Sequence, residues 1–259
     1  MKDRYGEISV KRDGHVALLE IDRPPHNHVT VELMSSLADA LAVVDAERDL
    51  RASVLAAAGK SFCAGADFSA PASVGGSPQG GINELYVQAV RLFSAKKPIV
   101  AAVQGAAIGA GLGLALAADF RVAAPEARFS ANFVKLGFHP GFGITFTLPR
   151  LIGQQKAALM CLTGRRIKAD EALAWGLVDE VAPQADLREA ALALARELAE
   201  NAPLAVEATR ATLRGELSAE VKAQTDREFV IQAALRRTAD FAEGIRAVAE
   251  RRPGNFTGT

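Results

Sequence analysis

The stretch Ile99–Asp119, IVAAVQGAAIGAGLGLALAAD, carries no charge before its closing aspartate and constrains the fold more than any other part of the chain. Ile99–Val103 is apolar and rich in β-branched side chains, and Pro98 precedes it, which predicts a short buried strand. Gln104-Gly105 breaks that strand. Gly109, Ala110, Gly111 and Gly113 then open Leu112–Ala118, a run of Ala and Leu that reads as a helix. A strand, a glycine-rich turn and a buried helix leave backbone N–H groups unpaired at a helix N-terminus, where the helix dipole favours negative charge. Small residues let a ligand approach that backbone closely. Three other readings compete. A membrane span fits by length, but Gly and Ala dominate and Gln104 interrupts it. A dinucleotide fingerprint fails because the glycines fall as GAGLG, not GxGxxG. Close packing of a buried helix uses the same small residues, and on this segment alone it stands level with anion binding.

A second small-residue turn, SFCAGADF at 61–68, follows the short apolar strand Ser53–Ala57. With KPIVAAVQGAAIGAGLGLALAADFRVA at 97–123, FVKLGFHPGFG at 133–143, LPRLIG at 148–153, LTGRRIKADEALAWGLVDEV at 162–181 and DFAEGIRAVAERRPGNFTG at 240–258, the chain resembles the crotonase, or enoyl-CoA hydratase/isomerase, superfamily. The resemblance implies an α/β fold: a crotonase-like spiral of repeated ββα units over residues 1–185, carrying an acyl-CoA site, and a helical C-terminal region over 186–259 that packs into a homotrimer or homohexamer. It also implies an acyl-CoA thioester as substrate. Coenzyme A then enters as part of that substrate, and no separate prosthetic group is expected.

Composition is that of an ordinary globular protein. Of 259 residues 49% are hydrophobic and 23% charged, enough for one large core. The formal net charge is zero, so neither a nucleic-acid surface nor an acidic tail is expected. Two cysteines, Cys63 and Cys161, make no disulfide framework. The charged opening MKDRYGEISVKRDG lacks the apolar core of a signal peptide, and a cytoplasmic location is expected.

Along the chain, Glu7–Val10 and Val16–Ile21 read as strands around an Asp13-Gly14 turn. Thr30 caps a helix with Leu33, Leu37, Leu41 and Val44 on one face, and a parallel strand follows at Ser53–Ala57. Ser69–Gly81 is rich in Gly, Ser and Pro and reads as a loop, either a lid over the AGAD turn or a surface insertion. Helices are expected at Asn83–Ser94, Gln154–Leu162 and Ala169–Trp175, with Gly176 closing the last. Short strands are expected at Phe120–Ala123, Arg128–Ser130 and Leu177–Val181. From Asp186 on every segment reads helical, with Pro203 at a helix start and Ser218 as a cap.

The resemblance places the thioester carbonyl between two backbone N–H groups, those of Ala66 and Ala110. Cys63, Ala64, Ala66, Asp67, Phe68 and Gly109 are the candidates to line the coenzyme A site, and Arg23 is a candidate to pair with its phosphates, against a solvated-surface reading. Arg251 and Arg252 are further candidates for phosphate. Hydratases of the family use two glutamates, and the positions matching them hold Gly113 and Phe133 here; a third carboxylate position holds Gly141. Neither glycine nor phenylalanine moves protons. Ordinary hydration of straight-chain enoyl-CoA is therefore not expected, and glutamates restored at 113 and 133 are expected to raise it. His139 and Glu84 are candidate acid/base groups. For His139 the competing reading is a turn histidine bonded to backbone, and for Glu84 a solvated helix start. Tyr86 and Asn132 are candidates to face the acyl group or orient water. His26 and His28 have no partner spacing for a metal.

Overall fold

The computed structural model describes residues 2–66 and 83–259. Asp67, Phe68 and the Ser69–Gly81 loop, named above, lie outside those residues. The chain opens on β1 (Arg4–Tyr5), β2 (Ile8–Asp13) and β3 (Val16–Ile21), with β2 and β3 forming an antiparallel hairpin. Helix α1 (Val31–Ala46) starts at Thr30, whose hydroxyl accepts from the Leu33 N–H. It crosses to β4 (Ala52–Ala57), which pairs with β3 in parallel over all six residues. Helix α2 (Glu84–Phe93), capped by Asn83, leads to β5 (Ile99–Val103). Then follow β6 (Ala106–Ile108), α3 (Ala110–Ala117), β7 (Phe120–Ala123) and β8 (Arg128–Ser130).

The main sheet runs β1-β2-β3-β4-β5-β7-β10, where β10 is Glu180–Val181. From β3 onward its pairings are parallel, and parallel strands need cover on both faces. Alternation along β4 delivers this: Leu55 and Ala57 point into the main core, while Ala52, Val54 and Ala56 point into a second one. That second face is covered by α7 (Leu187–Glu200), through Leu187, Ala191, Ala195 and Ala199. The C-terminal helices thus begin by completing the sheet's core. A smaller sheet has the order β6-β8-β9, with β9 at Ile167–Lys168.

Several elements differ from the sequence reading. The stretch after Gln104-Gly105 forms β6 before the helix, and α3 starts at Ala110 instead of Leu112. Asn132–Leu136 is a 3₁₀ turn, and Ile144–Ile152 is a full helix, α4, despite Pro149 inside it. Ser218 does not cap: α9 (Leu217–Leu235) has already begun, and the Ser218 hydroxyl instead meets that of Ser94 at 2.6 Å. The remaining helices are α5 (Gln154–Thr163), α6 (Ala169–Ala174), α8 (Pro203–Arg214, with Pro203 in the first turn) and α10 (Ala239–Ala249). No helix among the described residues is long and apolar enough to cross a membrane.

Candidate functional site

The two small-residue turns meet. Cys63 bridges Ala107 in parallel, donating its N–H to Ala106 O and accepting from Ile108 N–H. Gly65 adopts φ 101° and Gly109 φ 57°, conformations that a Cβ disfavours. A Cβ on Gly65 would lie 2.9 Å from Ile108 O and 3.9 Å from Ala110 N, so the turns are in contact. The Gly109 N–H is spent on Ser130 O in β8. The next N–H, that of Ala110, stands at the first residue of α3 with no carbonyl partner among the described residues, and the Ala66 N–H has none there either. Both residues line one cavity of about 200 Å³. Every residue of α3 is buried, and its N-terminus opens on this cavity, which adds a favourable potential for negative charge.

The rest of the lining is mostly apolar: Leu85, Ile108, Phe133, Leu136, Phe138 and Phe142. Polar side chains come from His28, Tyr86, Asn132, Gln232 and Arg236. The Tyr86 hydroxyl donates to Gln232 Oε1 at 2.8 Å, and Gln232 Nε2 donates to His139 O at 2.9 Å. Burial, reinforced by the charge of Glu228, holds the Tyr86 phenol well above its ordinary range, so it stays protonated and donates. Burial also lowers Arg236, whose guanidinium lies 5.3 Å from the centre of the Phe138 ring.

The three positions that the resemblance matches to carboxylates are crowded. A Cβ on Gly113 would lie 2.6 Å from Phe142 Cγ and Cδ1, and one on Gly141 would fall on the Tyr86 hydroxyl. Phe133 is itself buried. The expectation that glutamate at 113 raises hydration is therefore corrected: the Phe142 ring occupies the space that side chain needs.

Of the candidate site residues, Ala64, Ala66, Tyr86, Gly109, Ala110 and Asn132 line the cavity, whereas Arg23, Cys63, Glu84 and His139 do not. Glu84 is exposed in the first turn of α2, where a carboxylate complements the helix dipole, and it is the next two residues, Leu85 and Tyr86, that reach the cavity. His139 turns its Nδ1 to Pro140 O at 2.7 Å, the backbone-bonded arrangement. Cys63 lies fully buried behind the turn, its thiol pushed up to about 12 by burial. Arg23 pairs with Glu7 at 3.1 Å and donates to His28 O at 2.9 Å, so it braces its own loop. Arg252 is engaged by Glu243 and Glu250. His28, set aside as a metal ligand, is instead part of the lining, and its Nδ1 lies 3.1 Å from Gly65 O. Gln232 escaped the sequence reading because α9 turns Val221, Thr225, Glu228 and Gln232 inward, a helical stripe made mostly of polar residues.

The family model for enoyl-CoA hydratase/isomerase matches residues 11–259. A probable enoyl-CoA hydratase of Mycobacterium tuberculosis is 42% identical over 217 residues, which is 83% of this chain and 84% of that protein. A probable enoyl-CoA hydratase of Rhodobacter capsulatus is 36% identical, covering 98% of this chain and 99% of its own. The crystal structure of an enoyl-CoA hydratase/isomerase from Pseudoalteromonas atlantica superposes with a TM-score of 0.87 at 34% identity, over 97% of this chain and all of the other.

Proposed function

Because the chain belongs to the enoyl-CoA hydratase/isomerase family, we propose that it binds an acyl-CoA thioester and stabilises the enolate-like oxygen between the N–H groups of Ala66 and Ala110. One observation carries this reading: two backbone donors, unspent among the described residues, on touching turns at the wall of one apolar cavity. Preorganised donors in a dry site act on charge that develops during reaction, and losing one typically costs about 2.7–4 kcal/mol. The occupied positions at Gly113, Phe133 and Gly141 favour chemistry that begins from the enolate over addition of water by two carboxylates. A hydrolase or decarboxylase acting on an acyl-CoA-like substrate, or an acyl-CoA binding protein without turnover, is the alternative that the same vacancies support. The proposed assembly is a homotrimer or homohexamer, and the proposed location is the cytoplasm.

Thermal-shift titration with an acyl-CoA panel, beside a crotonyl-CoA hydration assay, tests this. The expected result is stabilisation by acyl-CoAs with hydration far below the ~1–10³ s⁻¹ usual for enzymes. Hydration within that range would overturn the reading of the vacant positions. Stabilisation without turnover of any thioester would favour the binding protein.

A further inference from the structure

The peptide that supplies the Ala66 N–H is held from behind. Its carbonyl, Gly65 O, accepts from the Val29 N–H at 3.0 Å and lies 3.1 Å from His28 Nδ1. A carbonyl oxygen only accepts, so Nδ1 carries the proton. In a trans peptide the C=O and N–H point in opposite directions. Two donors on Gly65 O therefore fix the direction in which the Ala66 N–H points and draw electron density away from it. Hydrogen bonds at the two ends of one peptide strengthen each other, by about 10–30% per bond.

The loop that carries His28 is built to present it. Asn27 is fully buried in the left-handed region at φ 50°, and its Nδ2 donates to Ala58 O and Ser61 O at 2.8 Å each. Arg23 donates its N–H to Asn27 Oδ1 and its guanidinium to His28 O, and Glu7 pairs with that guanidinium. A line of contacts thus runs from Glu7 through Arg23 and His28 to the Gly65–Ala66 peptide.

We propose that His28 is a positioning residue that orients and polarises the Gly65–Ala66 peptide, so that the Ala66 N–H becomes a stronger donor to the substrate oxygen. The inference rests on the acyl-CoA reading above. Its test is the infrared carbonyl band of butyryl-CoA, labelled with ¹³C at the thioester carbon and bound to the full chain. The unmodified protein is expected to shift the band to lower frequency than in solution. His28→Phe keeps a ring and removes the donor, and a smaller shift is expected. His28→Asn puts an amide N–H near the place of Nδ1 and removes the ring, and the shift is expected to return. Far-UV circular dichroism of the ligand-free proteins is expected to be the same in all three, and this separates polarisation from loss of structure. Equal shifts in the unmodified and His28→Phe proteins would overturn the role of His28 alone. So would a reduced shift in a His28→Asn variant that melts like the unmodified protein. A bound thioester at its solution frequency in the unmodified protein would count against the Ala66/Ala110 pair itself.

Discussion

Gly113 and Phe142 show how single residues shape this cavity. Phe142 is fully buried at φ 63°, a conformation that bulky residues rarely adopt, and it is held there by the surrounding packing. Its ring lies where a Gly113 side chain would begin. Gly113→Ala should therefore overpack the site and cost about 1–3 kcal/mol. Phe142→Ala alone should cost about 3–5 kcal/mol through the cavity it leaves. Because the two changes share one space, the double variant should be less destabilised than their sum, as denaturant unfolding can measure. Additive values would show that ring and methyl do not compete. The two small-residue turns were legible because each is a local motif, and the resemblance named Ala66 and Ala110 within them; that the turns touch follows only from the closed fold. His28 was not legible, because its partner Gly65 stands 37 residues away and only the closed fold brings them together.

At the scale of elements, the least legible was α4. Its first residues follow a turn dense in Gly and Pro, Pro149 interrupts its pattern, and no side chain at Gly143 caps it. The cap comes from α9: Glu228 accepts from the Gly143 N–H at 2.8 Å and from the Thr145 hydroxyl at 2.6 Å. The longer strands were legible because their apolar runs are bounded by turns; β1, β6 and β9 were missed because two or three residues carry too little pattern. Burial pushes the Glu228 carboxyl from its ordinary 4.5 up to about 7, against the lowering effect of those two hydrogen bonds. A carboxyl raised in the folded state contributes stability that is fully present below its unfolded value and is lost as pH rises through the folded one. Here that window runs from about 4.5 to about 7. The protein should therefore lose part of its unfolding free energy between pH 5 and pH 8, and Glu228→Gln should make that loss smaller. Identical pH dependence in the two proteins would remove Glu228 as its source.

For the whole molecule, α8 poses the question of assembly. An ordinary surface helix buries an apolar stripe. The buried residue of α8 is Arg210, which with Arg214 grips the Asp119 carboxylate at 2.9–3.0 Å, while the Ile99 N–H donates to the same carboxylate. Charge thus pins the helix to the end of β5 and leaves its leucines outside: Leu204 is 80% exposed and Leu213 77%. The expected cover is a second copy of the chain, in a trimer or a pair of trimers. Full burial of a leucine is worth about 1.5–3 kcal/mol. Leu204→Lys with Leu213→Lys should then weaken association by at least about 100-fold, since each 1.4 kcal/mol is a factor of ten. Neither leucine packs into its own chain, so the variant's protomer should keep its fold, which circular dichroism can check. Sedimentation of the unmodified protein at micromolar concentration should give a trimer or hexamer, with the double variant shifted toward monomer. A monomer in the unmodified protein, or an unchanged assembly in the variant, would mean that α8 meets solvent and not another subunit.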